Sequence, residues 1–197
     1  MKKLLLSVIL ISEIIIIGIN YSKSITNQLS DELLRMHILA NSDSDYDQRI
    51  KINTRNFLIE YIDKTNLSNK EQVVSSVINM ENRLNEELIK NNINYTCKIS
   101  VCNTDFNSRE YSNISVPAGN YETLKVVLGE GKGKNWWCIA YPPLCFTESV
   151  TGEISTSGNA KLKSALDDEA YNVINAKKGE YKIKFKCIEL INSILKH

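Results

Sequence analysis

The sequence predicts an α+β fold. The reading is a single domain, a mixed or antiparallel sheet with helices packed on one face, preceded by an N-terminal apolar export helix. Three observations predict it. Residues 4–19 are an almost unbroken apolar run behind Lys2 and Lys3. Residues 44–91 carry apolar side chains at helical spacing, and from Ile93 onward they fall at every second position. The chain has 197 residues, which suits one domain plus a targeting segment. A domain of that size buries roughly 70% of its unfolded surface and folds without a metal or disulfide framework.

Lys2 and Lys3 make a short positive n-region. The apolar run after them, interrupted by Ser7, Ser12, Glu13 and Gly18, has the length of a signal-peptide core and is slightly short for a relaxed membrane span. The basic end stays in the cytoplasm and the remainder crosses. Residues 1–21 are therefore read as a signal peptide or an N-terminal membrane anchor. No A-x-A cleavage site follows, which favours an anchor. Glu13 works against a permanent span, where an ionised carboxylate costs a few kcal/mol. Residues 22–34 read as a linker and short helix, and 35–197 as the extracytoplasmic domain. Without residues 1–21 the chain keeps 22 basic and 22 acidic residues. That balance lacks the basic excess of a nucleic-acid binder.

Within the domain, residues 36–40 read as a buried strand. Ser44 caps a helix that runs to about residue 63, with Asp47 three positions on as a variant capping box. Ile50, Thr54, Phe57, Leu58, Tyr61 and Ile62 form its inner face. A second helix spans about 69–91, with Val73, Val74, Val77, Ile78, Leu84, Leu88 and Ile89 inward. Residues 93–101 alternate as a strand. A polar stretch over 103–113 leads to a short strand at 113–116, a turn at 117–120 and a strong strand over 121–128. Residues 129–135, with glycines at 129, 131 and 133, read as a mobile hinge. Residues 136–146 are an apolar segment bent at Pro142-Pro143. A helix is expected over 161–176, a strand over 181–187 and a short closing helix over 188–196.

The five cysteines stand at 97, 102, 138, 145 and 187. Cys138 and Cys145 are the candidate disulfide, because Pro142-Pro143 between them can turn the chain back. The short loop so closed would add roughly 2–3 kcal/mol. The alternative is that all five are small buried hydrophobes. With no C-x-x-C pair and two histidines, the sequence offers no zinc ligand set and implies no metal or cofactor.

Two segments stand out chemically. In the first, a strand ends at Asn41, Ser42 and Asp43, small polar residues that build a helix N-terminus. Arg35 and His37 precede them. His37 with Asp43 could act as a base and its orienting acid, or His37 could simply hydrogen-bond in the structure. In the second, the glycines fail the phosphate-loop test, because Gly133-Lys134 is followed by Asn135-Trp136. Adjacent strand side chains face opposite ways, so one of Trp136 and Trp137 can be core while the other is exposed. An exposed tryptophan beside Lys132, Lys134 and Asn135 suits a protein-binding hot spot.

The stretch Arg35-Met36-His37-Ile38-Leu39-Ala40-Asn41-Ser42-Asp43, followed by Asp47-Gln48 and Lys51, resembles the N-terminal signature of the stage II sporulation protein R family. Three further stretches resemble that family's longest motif: residues 117–121, the run Gly129-Glu130-Gly131-Lys132-Gly133-Lys134-Asn135-Trp136-Trp137-Cys138, and residues 141–146. Residues 181–186 with Glu189 also fit. Asn56 and Lys125 depart from the pattern.

The resemblance implies a protein made in the forespore and exported into the space between forespore and mother cell. There it triggers a membrane-embedded aspartic protease that removes the pro-sequence of sigma factor E. The lack of an activated nucleophile in the sequence agrees with a binding signal and not an enzyme, and the residue reading makes Lys132, Lys134, Asn135 and Trp136 or Trp137 the first expected contact surface. Arg35, His37, Asn41 and Asp43 are the second. The competing reading is an extracytoplasmic hydrolase of cell wall or peptide using His37, Asp43 and Glu130. A third is a passive protein of the spore envelope.

Overall fold

The computed structural model describes residues 2–111, 114–142, 144 and 156–175. The chain begins with α1, Lys2–Glu32, one continuous helix of 31 residues. It is long and apolar enough to cross a membrane. No break separates the apolar segment from the residues that follow it. The division shows in burial, because residues 5–18 are exposed while Ile25, Leu29 and Leu33 are buried.

β1 follows at Leu34–Leu39, then α2 at Asp45–Lys64, α3 at Lys70–Ser75 and α4 at Val77–Lys90. β2 spans Cys97–Phe106, β3 Arg109–Tyr111, β4 Ile114–Val116, β5 Gly119–Leu128 and β6 Asn135–Tyr141. α5, Thr156–Ala165, and α6, Asp168–Ile174, complete the described chain. Four strands form a mixed sheet in the order β2-β5-β1-β6. β1 runs parallel to β5 and antiparallel to β6, and β2 is antiparallel to β5. β3 and β4 make a separate hairpin. The α+β class and the mixed sheet are as the sequence predicts.

Period-two alternation sorts the strand side chains between two apolar layers. Met36, Ile38, Ile99, Leu124, Val126, Cys138 and Ala140 meet α2, α3 and α4 through Leu58, Ile62, Val73, Met80, Leu84 and Leu88. The opposite face is also covered, at one end. There Tyr121, Phe106 and Ile139 meet the last turns of α1 together with α5 and α6. Arg35 lies fully buried on that face, its guanidinium 4.2 Å from the Phe106 ring centroid and 5.4 Å from that of Tyr121.

Several local expectations change. The helix expected over 69–91 divides at Ser76. The Ser76 N–H is shared between the Gln72 and Val73 carbonyls, and the Ser75 and Ser76 hydroxyls donate to the same two oxygens. Serine hydroxyls that compete for backbone acceptors loosen a helix at that point. Val73, Met80, Leu84 and Leu88 share one buried face, and Ile78 and Ile89 fall off it and point outward, 74% and 68% exposed. The stretch expected to be polar loop from 103 stays in β2 to Phe106, because its ladder with β5 runs the full ten residues. The helix expected over 161–176 is two, with Asp167 capping α6 by accepting the Ala170 N–H at 2.7 Å. The expected strand over 181–187, the closing helix over 188–196 and Cys145 lie outside the described residues. Cys138 is disulfide-bonded, while Cys97 and Cys102 are free.

Candidate functional site

The two segments singled out in the sequence meet at one end of the sheet. β1 and β5 are parallel, so their carboxyl ends lie side by side. The chain leaving β1 at Ala40 therefore runs beside the glycine loop leaving β5 at Gly129. Four hydrogen bonds zip the loops together, and a fifth ties the glycine loop to α2. The Asn41 side-chain oxygen accepts the Glu130 N–H at 2.9 Å, and the Asn41 carbonyl accepts the Lys132 N–H at 3.2 Å. The Ala40 carbonyl accepts the Gly133 N–H at 2.8 Å, and Asp43 Oδ1 accepts the Lys134 N–H at 2.7 Å. Lys51 Nζ donates to the Lys134 carbonyl at 3.1 Å.

The glycines serve this contact and do not make a mobile hinge, which corrects the sequence reading. Gly129 has φ +53°, and a Cβ there would stand 2.2 Å from Asn41 Oδ1. A Cβ on Gly133 would stand 2.2 Å from the Ser42 carbonyl oxygen. Real Cβ atoms do not approach that closely, so both positions require glycine as the loops now lie.

A buried carboxylate holds the zip from behind. Asp47 Oδ2 accepts from Asn41 Nδ2 at 2.9 Å and from Ser42 Oγ at 2.5 Å, and Oδ1 accepts from the Tyr95 hydroxyl at 2.7 Å. Burial alone would raise its pKa. The hydrogen bonds from Ser42, Tyr95, Asn41 and Ser44 outweigh that and hold it below the ordinary carboxylate value. The capping role is thus half as expected. Ser44 Oγ accepts the Asp47 N–H at 3.2 Å, but the Asp47 carboxylate turns inward. Lys51 and Arg55 follow on the same face of α2, both buried. Burial lowers the pKa of each, and Asp43 partly offsets this for Lys51.

The tryptophans part to opposite faces of β6, as alternation requires, and both are half-buried. Trp136 packs on the helical layer, with the Arg55 guanidinium 4.6 Å over its ring centroid. Trp137 faces the other way. It is stacked on His37, with centroids 3.5 Å apart and planes 11° apart, and its ring meets Phe106 edge-on at 5.1 Å. His37 Nε2 lies 3.1 Å from Asn135 Oδ1, so that nitrogen carries the proton in this contact. Burial lowers the His37 pKa, opposed by the Asn135 bond and assisted by the charge of Lys125.

His37, then, is bonded to Asn135, and Asp43 is bonded to the Lys134 N–H. The base and acid pair drawn from sequence is not assembled. Glu130 is 68% exposed and ion-paired with Lys132, itself 76% exposed, at 2.7 Å. Among the described residues no group of three or more acidic, histidine or cysteine side chains is placed to hold a metal.

Lys132, Lys134, Asn135, Asn41 and Asp43 share one surface, and Arg35 and His37 lie behind it on β1. Sequence reasoning gave Asp47 only a capping role and Lys51 only a place in the family signature, and it missed Tyr95. The first two left a signal: with Arg55 they recur every four residues, a charged row on the flank of an apolar helix face. Tyr95 left none, standing 48 residues from Asp47.

Comparison with known proteins agrees with these segments. The family model for stage II sporulation protein R matches residues 30–151. A stage II sporulation protein R of Bacillus subtilis (strain 168) is 30% identical over 185 residues, covering 84% of this chain and 83% of that protein. No solved structure matches the chain. The family match takes in β1, the zipped loops and β6, and on it and the similarity along most of the chain, this protein belongs to the stage II sporulation protein R family.

Proposed function

We propose that the chain is an exported sporulation signal that acts by binding. Its partner is a membrane-embedded aspartic protease, and the outcome is removal of the pro-sequence of sigma factor E. The observation that carries this reading is the zip between residues 40–43 and 129–134. It presents Lys132, Lys134 and Asn135 on a surface fixed before any partner arrives, and a surface ordered in advance loses less entropy on binding. The exposed part of Trp137 borders that surface. Binding there would favour the protease's active arrangement, since a ligand shifts an equilibrium only by its differential affinity for the two states. α1 supplies export and attachment to the membrane. In this reading Cys138 pairs with Cys145 across Pro142-Pro143, bracing the far end of β6.

The test is precursor cleavage in a non-sporulating host that makes the protease and the sigma precursor, followed by immunoblot. Cleavage is expected only when the chain is present, and His37→Gln retains it. The double variant Lys132→Glu/Lys134→Glu, exported and folded, is expected to reduce cleavage at least tenfold. Full cleavage with that variant would overturn the surface. No cleavage with the parent chain, shown to be folded and exported, would overturn the function.

A further inference from the structure

α1 enters the domain along the direction of the sheet. Thr26 packs beside Gly119, where a Cβ would stand 3.3 Å from its methyl group. Ser30 Oγ donates to the Asn120 carbonyl at 2.8 Å. Lys70 Nζ joins the Ser30 carbonyl, at 3.3 Å, to Glu122, at 3.2 Å. Arg35 lies beside Thr123 in the parallel ladder. As the chain advances from 26 to 35, its neighbours on β5 advance from 119 to 123. α1 and β1 therefore run the same way as β5, toward the zipped loops.

Two further contacts fix the entry. Tyr21 lies beside Glu169, and Gln28 beside Asp167, so the helix meets α6 before and within the core. The buried side chains of Ile25, Leu29 and Leu33 lock the same turns.

These relations set a height. From Ile17 to Ser30 the helix rises roughly 20 Å at about 1.5 Å per residue. From Asn120 to Leu128 the strand rises roughly 25 Å at about 3.3 Å per residue. We infer that residues 18–32 of α1 are a stalk that, with the apolar segment seated in a bilayer, holds the zipped loops at the end of the domain facing away from it. The height is roughly 30–45 Å, according to the angle between helix and strands. The α6 end lies next to the bilayer. The surface is then open to a partner presented by a facing membrane and closed to a neighbour at the same bilayer surface. The choice of partner rests on the proposed function; the orientation does not.

The experiment uses the full chain reconstituted through α1 into phosphatidylcholine vesicles whose lipid headgroups carry an energy acceptor. A donor dye is attached through an azido amino acid at position 134 or at position 168, both exposed. Strong transfer from 168 and weak transfer from 134 is the expected result. Equal transfer from both, or stronger transfer from 134, would overturn the inference. No protease is present, so failure of the signalling reading leaves this outcome unaffected. A second variant inserts Gly-Gly-Ser-Gly-Gly after Tyr21. It is expected to raise transfer from 134 and to bring the two positions together, and an unchanged difference would show that the stalk does not set the orientation.

Discussion

His37 and Trp137 stand 100 positions apart in the chain and face each other on neighbouring strands, imidazole flat on indole with 3.5 Å between centroids. The stack and the Asn135 bond account for a histidine that sequence chemistry had offered as a base. Its pKa is held below the ordinary 6.5 by burial first. The folded state thus prefers the neutral ring, and the stabilisation is complete above the unfolded pKa and falls as pH drops below it. Urea midpoints are expected to fall between about pH 7.5 and about pH 5.5. His37→Gln should be less stable at neutral pH and should flatten that fall. An unchanged slope in His37→Gln would remove His37 as its source.

Asp47 is expected to govern the zipped loops. Asp47→Ala leaves Asn41, Ser42 and Tyr95 without their acceptor and should cost about 2–4 kcal/mol in urea unfolding. Amide exchange at Glu130, Lys132 and Lys134 should accelerate more than exchange within β5. Because the folded pKa is lowered, the carboxylate's stabilisation is present at neutral pH and is lost as pH falls below 3.8. Asp47→Asn should show no such acid-dependent loss.

Gly133→Ala is expected to separate contact from charge. The added methyl meets the Ser42 carbonyl, so the loops must part, at about 1–3 kcal/mol. Precursor cleavage should fall with it. Lys132→Ala removes an exposed side chain and should stay within about 0.5 kcal/mol of the parent.

β2 is an edge strand of the four-stranded sheet. α4 guards it, since Asn85 pairs with both the N–H and the carbonyl of Cys97, at 2.7 and 3.2 Å, and Glu81 accepts the Ile99 N–H at 2.6 Å. Bare strand edges invite pairing with other chains. Glu81→Ala/Asn85→Ala should self-associate in sedimentation at concentrations where the parent does not. The same change should lower the Cys97 thiol pKa, which burial and then Glu81 now raise to about 12.

The sequence by itself determined the elements whose cause is local. Lys2 and Lys3 followed by the apolar run over residues 4–19 specify the N-terminal apolar helix. Ser44 specifies the start of α2, and alternation from Ile93 specifies strands and sends Trp136 and Trp137 to opposite faces. Both segments that meet in the candidate site were also legible, because strand ends and glycine runs mark themselves. Tertiary structure decided the rest. The glycine loop looked mobile because Gly129, Gly131 and Gly133 permit motion, and only the parallel pairing of β1 with β5 brings Asn41 and Asp43 to occupy its N–H groups. The partners of the charged row Asp47, Lys51 and Arg55 were not legible in the sequence, because no local rule places Tyr95 or the Lys134 carbonyl beside it. Periodicity is a property of one segment, whereas a buried polar partner is a property of two, and the second is fixed only when the chain has folded.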